Sequence, residues 1–191
     1  MKSLALILSA MLLNVSVASA DAISDLAESK CTKCHAADSG FPNLGAQTSE
    51  YIFQSLKDYQ SAARHSDNAV MMAKKAKGFD DATLKGLADY FSKQPAAAPA
   101  DGDAAVIAQG KDIYENGIQA KGVLACNNCH GRDGEGNKMS PRLASQLQTF
   151  LASQFVAYKD GSIDNQAEMK DIASKLSDDE VTAVTTYLQS K

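Results

Sequence analysis

Cys31-Thr32-Lys33-Cys34-His35 and Cys126-Asn127-Asn128-Cys129-His130 are two copies of one five-residue pattern, C-x-x-C-H. Two thiols at this spacing can each add to one vinyl group of a haem, and the histidine that follows is then held beneath the iron as an axial ligand. Together the copies use all four cysteines of the chain and two of its three histidines. Other chemistries of paired cysteines fit less well. A thioredoxin-like dithiol needs a βαβ context, and no strand pattern surrounds either copy. A four-cysteine zinc site wants its two pairs about 15–20 residues apart, whereas most of a domain separates these. Disulfides within each C-x-x-C would close loops too small to constrain anything. The pattern therefore implies two covalent haems, attached through Cys31, Cys34, Cys126 and Cys129, with His35 and His130 as axial ligands.

The elements that must position these groups are helical and occur twice. The stretch from Ser92 to Asp103 is rich in Pro, Ala and Gly and has no apolar side chain larger than alanine or proline, so it reads as a seam. On either side the chain repeats itself. With Gln47 and Gln146 in register, 99 positions apart, Ile52, Leu56 and Tyr59 share their offsets with Leu151, Phe155 and Tyr158. Each set forms one apolar stripe of an amphipathic helix. Further on the register is 97: Leu84, Leu87, Ala88 and Phe91 match Val181, Val184, Thr185 and Leu188. Ser177 and Glu180 form a capping box for the second of these helices, while the first starts at Asp80 or Asp81 without the reciprocal carboxylate. A repeat of this length with a matched cysteine motif in each copy predicts a duplicated domain. Each unit is expected to hold a short helix before or across the C-x-x-C-H, a loop, a middle helix and a terminal helix, making the chain all-α. With fewer than 100 residues and few large apolar side chains, each unit depends on the haem for the bulk of its core.

The repeat also nominates sixth ligands to the irons. Met72 lies 12 residues before Leu84, and Met169 lies 12 before the matching Val181. Met71 misses that register by one. A soft thioether would stabilise reduced iron and raise its potential above that of a bis-histidine site; the alternative is that these methionines fill gaps in the core. His65, in the polar stretch Ala62–Asn68, has no counterpart in the second half and reads as a solvated loop residue. Pro42 and Pro141 follow the two motifs. Each either stiffens a turn or presents a carbonyl to the other nitrogen of the ligand histidine, fixing its tautomer.

Residues 1–20 read as a removed signal peptide: Lys2, an apolar run from Leu4 to Leu13, and a small-residue site at Ala18-Ser19-Ala20. The apolar run is shorter than the about 20 residues that a spanning helix needs. Export suits the haem reading, because c-type haem is attached outside the bacterial cytoplasm, and it places the protein in the periplasm. The domains are then expected at 21–94 and 104–191, with 95–103 as linker. After the leader, 18 basic and 23 acidic residues remain. No basic cluster suggests nucleic acid and no Lys/Arg stripe suggests an anionic bilayer, so membrane association is at most peripheral.

Taken together, Cys31, Cys34, His35, Pro42 and Met72, with Cys126, Cys129, His130, Pro141 and Met169, resemble the cytochrome c4 family, which carries two class I cytochrome c domains in one chain. Pro42-Asn43-Leu44-Gly45-Ala46-Gln47 is similar to a characteristic segment of that family, and Pro141-Arg142-Leu143-Ala144-Ser145-Gln146 keeps it more loosely. The resemblance implies two tandem class I domains with haems close across their interface. It also implies electron shuttling from a quinol-oxidising complex to a terminal oxidase. An electron-accepting subunit of an exported dehydrogenase, oxidising sulfide or thiosulfate, is the rival reading; a haem enzyme or sensor with one methionine displaced is a third. Two saturated irons, no Gly-rich nucleotide loop and no further Cys/His pair argue against an enzyme. Gly110 and Tyr114 fit the family's N-terminal helix, where glycine admits an aromatic such as Tyr187. The first half has Ala27 instead of glycine, so its first helix is expected to be short or differently packed.

Overall fold

The computed structural model describes residues 20–36 and 39–191; the expected leader, apart from Ala20, lies outside the described residues. The first half contains α1 (Ala20–Lys30), α2 (Ser49–Gln60), α3 (Asp67–Ala76) and α4 (Asp81–Ser92). The second contains α5 (Ala104–Asn116), the one-turn α6 (Asn127–His130), α7 (Gln148–Lys159), α8 (Ala167–Lys175) and α9 (Asp178–Gln189). Among the described residues extended pairing is confined to two isolated bridges, Arg64 with Ile163 and Ile118 with Val123. No helix among them is long and apolar enough to cross a membrane.

The all-α expectation stands, and so do the starts of the terminal helices. Asp80 caps α4 by accepting from Thr83 N–H, and Ser177 and Glu180 close a reciprocal capping box on α9. The expected helix inventory was one short in the first half and two short in the second, where α5 precedes the motif and a separate turn, α6, spans it. Helices α3 and α8 lie between the middle and terminal helices, where no helix was expected, and they carry Met72 and Met169. Ser66 starts α3 by accepting from Ala69 N–H, but the helices run for only 10 and 9 residues and bury little of their own surface.

In each half the first and last helices cross, and the middle helix packs onto the last. Ile23 and Ala27 of α1 meet Leu87, Ala88 and Phe91 of α4, with Ile52 of α2 completing the cluster. In the second half Ile113 and Tyr114 of α5 meet Ala183, Val184, Tyr187 and Leu188 of α9, with Leu151 of α7. The α5/α9 crossing depends on glycine: a Cβ on Gly110 would lie 2.0 Å from the Ala183 carbonyl oxygen and 2.8 Å from Tyr187 Cβ. The Tyr114 and Tyr187 rings then pack 5.6 Å apart. In the first half the glycine has moved to the other partner. Gly86 of α4, the repeat equivalent of Ala183, leaves room for Ile23, whose Cδ1 would sit 2.7 Å from an added Cβ. Helix α1 thus packs on α4 by a different exchange of small and large residues from that of α5 on α9.

The stretch 95–103 has no helix, but it is fastened to the second half. Ala100 N–H donates to the Gln189 carbonyl at 3.1 Å, and Asp103 caps α5 through Ala105 and Val106 N–H.

Candidate haem sites

Each C-x-x-C-H sits in a single helical turn. Cys34 and His35 N–H donate to the Cys31 carbonyl at 3.1 and 3.0 Å, and Cys129 and His130 N–H donate to that of Cys126 at 3.2 and 2.9 Å. Residues three and four apart on a helical turn share a face, so both thiols and the imidazole are offered to the same side. The turns are held differently. In the first half α1 runs straight into the motif, with Cys31 N–H on the Ala27 carbonyl at 2.9 Å. In the second, a loop separates α5 from α6, and the Tyr114 hydroxyl reaches the Gly131 carbonyl at 2.6 Å to fasten the turn from behind.

None of the four cysteines is paired in a disulfide. Burial pushes the Cys126 thiol up to about 11, and burial, aided by Cys34, raises that of Cys31. These are the opposite of the depressed values that mark a reactive cysteine.

The histidines are held alike. His35 Nδ1 lies 2.9 Å from the Pro42 carbonyl oxygen and His130 Nδ1 lies 3.0 Å from that of Pro141. Burial lowers the proton affinity of both rings, against the smaller opposing effect of the proline carbonyls. A neutral ring donating from Nδ1 has its lone pair on Nε2, the nitrogen a metal would take. The second proline reading, a carbonyl that orients the histidine, is therefore the one the geometry supports.

Met72 and Met169 are half-buried, on α3 and α8, whereas Met71 is 40% exposed. Helix α3 is tied to the end of α2 by the Gln60 amide, which bonds the Ala76 and Phe79 carbonyls at 2.9 Å each. Lys159 of α7 similarly bonds the Leu176 carbonyl beyond α8 at 3.0 Å. His65 is exposed, as expected, and its backbone N–H crosses to the Ser162 carbonyl at 3.1 Å.

A set of residues between the halves has no counterpart in the expectations. Gln47 and Gln146 are 7% and 5% exposed and reach across in mirror fashion. Gln47 accepts from Arg142 N–H at 2.7 Å and donates to the Arg142 carbonyl at 3.0 Å. Gln146 accepts from Asn43 N–H at 2.9 Å and donates to the Asn43 carbonyl at 3.0 Å. The residues just before them, Ala46 and Ser145, have φ of 56° and 59°, a left-handed bend that costs a non-glycine residue about 1 kcal/mol. Arg64 and Ile163, which bridge across the interface, are repeat equivalents at the same 99-residue offset; the halves are therefore related by an approximate twofold axis. The signal in the sequence was the pair of glutamines at one offset after each proline.

Arg64, 6% exposed, lies over the Tyr51 and Tyr59 rings at 5.7 and 5.5 Å and faces Asp58 at 3.8 Å. Its Nε, like that of Arg142, is buried without a hydrogen-bond partner. A cavity of about 380 Å³ opens between Tyr59, Arg64 and His65 on one side and Val70 and Ala73 of α3 on the other. A buried guanidinium with capacity to spare, that of Arg64, beside a largely apolar cavity suits a large apolar group bearing carboxylates. With two thiols, a preset imidazole and a half-buried thioether in each half, the donor set fits haem.

The comparisons with known proteins agree. The family described as "Cytochrome C oxidase, cbb3-type, subunit III" matches twice, over residues 18–91 and 105–188. Cytochrome c4 of Azotobacter vinelandii is 31% identical over 175 residues, covering 83% of each chain. A thiosulfate dehydrogenase electron acceptor of Thiomonas intermedia is also 31% identical, over 84% of this chain and 78% of that one. Among solved structures, cytochrome c4 of Acidithiobacillus ferrooxidans superposes with a TM-score of 0.80 at 30% identity, covering 86% of this chain and 99% of the other.

Proposed function

Since the chain belongs to the cytochrome c4 family, and is a dihaem electron-transfer protein with two c-type haems as cofactor, we propose that it works in the periplasm as a carrier between respiratory complexes. In this reading it accepts electrons from a quinol-oxidising complex and delivers them to a terminal oxidase. Cys31 and Cys34 attach one haem and Cys126 and Cys129 the other. His35 and Met72 ligate the first iron, His130 and Met169 the second. The domains are 21–94 and 104–191, joined by 95–103 and preceded by a removed leader at 1–20.

When bound, the haem supplies a one-electron couple that changes charge without making or breaking bonds. The chain does the rest. The helical turn of each C-x-x-C-H presents thiols and imidazole on one side. The proline carbonyls keep a proton on Nδ1 and leave Nε2 to the metal. Met72 on α3 and Met169 on α8 would each offer a thioether to the iron, which would favour its reduced state. The observation that carries the reading is the repetition: two sites of the same construction, with their proline segments bonded to each other across one interface.

Intact mass of the mature protein tests the cofactor assignment and should show two haem additions that survive acid-acetone extraction; one addition would sink it. Stripping native membranes of the protein and adding it back tests the route. Quinol-dependent oxidase activity should fall and then recover. The 31% identity to a thiosulfate dehydrogenase electron acceptor favours a second reading, as acceptor for an exported dehydrogenase. Purification in a stoichiometric complex with a dehydrogenase, with oxidase activity indifferent to its removal, would select that alternative.

A further inference from the structure

The glutamine exchange between the halves does more than fasten them. The Pro42 carbonyl that holds His35 Nδ1 at 2.9 Å belongs to the same peptide group as Asn43 N–H, and that N–H donates to Gln146 Oε1 of the opposite domain at 2.9 Å. The mirror relation holds for His130 Nδ1, the Pro141 carbonyl and Arg142 N–H, which donates to Gln47 Oε1 at 2.7 Å. A peptide group is one conjugated unit, and hydrogen bonds in series polarise one another. An acceptor on the N–H side puts more negative charge on the carbonyl oxygen. That oxygen then draws harder on the Nδ1 proton, and the ring becomes a stronger electron donor through Nε2.

We infer that Gln47 and Gln146 are positioning residues acting in trans, each setting the orientation and donor strength of the iron-ligand histidine in the other domain. The inference rests on the proposed ligand role of His35 and His130. Its consequence is that the potential of each haem depends on a side chain of the domain that does not hold it, so a shift between the halves is felt at both irons. Both glutamines are buried, and each is aimed by a left-handed residue before it, as such a role requires.

The test uses the full-length dihaem protein. Gln146→Met removes the acceptor while keeping a chain of similar length, and Gln47→Met does the same on the other side. The potentials are read by spectroelectrochemistry, with haems assigned to domains by the paramagnetically shifted NMR resonances of each. Gln146→Met should weaken donation by His35 and raise the potential of the first-domain haem, by a change in its reduction equilibrium of about tenfold at most, or about 59 mV for one electron. The second-domain haem should shift far less. Gln47→Met should give the mirror result. A shift confined to the haem of the variant's own domain, equal shifts in both, or no shift in either would overturn the proposal. If the Met variants fail to fold with two haems, Gln146→Glu and Gln47→Glu decide. These keep the acceptor oxygen and should lower the opposite haem's potential more than that of their own domain; the reverse order overturns it. The ligand assignment is checked separately, because the unmutated oxidised protein should show two sets of strongly shifted histidine-ring resonances. Their absence would overturn that assignment before any variant is made.

Discussion

At the residue scale, neighbouring methionines on α3 make opposite claims. Met72 is half-buried and Met71 is 40% exposed, although both are chemically able to bind iron. Met72→Ala should open one iron, lower one of the two potentials and remove about half of the Met-to-iron charge-transfer absorption. Met169→Ala should do the same at the other iron, since loss of a thioether destabilises the reduced state. Met71→Ala should leave both the spectrum and the potentials nearly unchanged. A spectrum sensitive to Met71 and indifferent to Met72 would place the first ligand one residue away from the proposed one. Most of the candidate site could be nominated from the sequence because its spacing is local: C-x-x-C-H is a single helical turn, and the methionine register follows from two copies of one pattern. The Pro42 and Pro141 carbonyls were legible only as one of two options, since a proline that stiffens a turn and one that presents its carbonyl are the same letter in a sequence. Geometry at 2.9 and 3.0 Å separates them.

At the scale of elements, the long amphipathic helices were plain and the short ones were not. Helices α3 and α8 bury only Ala69 and Ala76 in the one and Ala173 in the other. Ala69, Met72, Ala73 and Ala76, and Met169, Ile172, Ala173 and Leu176, do keep helical spacing, but each stripe spans barely two turns, too short to stand out by periodicity. What stabilises them is contact with α2 and α7. The helix crossings give a sharper comparison. In α5 the atom facing Gly110 is a backbone oxygen at 2.0 Å, which an added Cβ can clear only by separating α5 from α9. In α4 the atom facing Gly86 is the tip of Ile23 at 2.7 Å, which can rotate away. Gly110→Ala should therefore cost about 1–3 kcal/mol through overpacking. Gly86→Ala should be nearly neutral, because helix propensity returns about 1 kcal/mol. Denaturant midpoints of the two variants measure the difference. A greater loss at Gly86 would mean that α1 cannot adjust and that the first-half crossing is the tighter one.

At the scale of the whole molecule, duplication was readable but the way the copies meet was not, because the interface is made by polar residues that look like surface until their partners are known. Its centre breaks the symmetry of the repeat. Asp58 and Arg64 occupy the positions that Ala157 and Ile163 fill in the second half, and all four are buried, at 7%, 6%, 7% and 3% exposure. The backbone is shared: Arg64 N–H approaches the Asp58 carbonyl and Ile163 N–H the Ala157 carbonyl, at 3.5 and 3.0 Å. Around the carboxylate of Asp58, Gln54 donates from its own helix at 2.8 Å and Asn165 from across the interface at 2.6 Å. Removing one member of such a buried pair strands the other, at a cost of about 3–5 kcal/mol, whereas replacing both by apolar groups is often neutral. Asp58→Ala should accordingly lower stability by that amount and loosen the contact between the halves, visible as faster amide exchange at His65, whose N–H bonds the Ser162 carbonyl. Asp58→Ala combined with Arg64→Ile copies the apolar solution that the second half already uses at these positions, and should recover most of the loss. A double variant as unstable as the single one would mean that Arg64 is held mainly by the tyrosine rings or by a haem carboxylate rather than by Asp58. Thermal unfolding of the two variants beside the unmutated protein, all with two haems attached, decides between these.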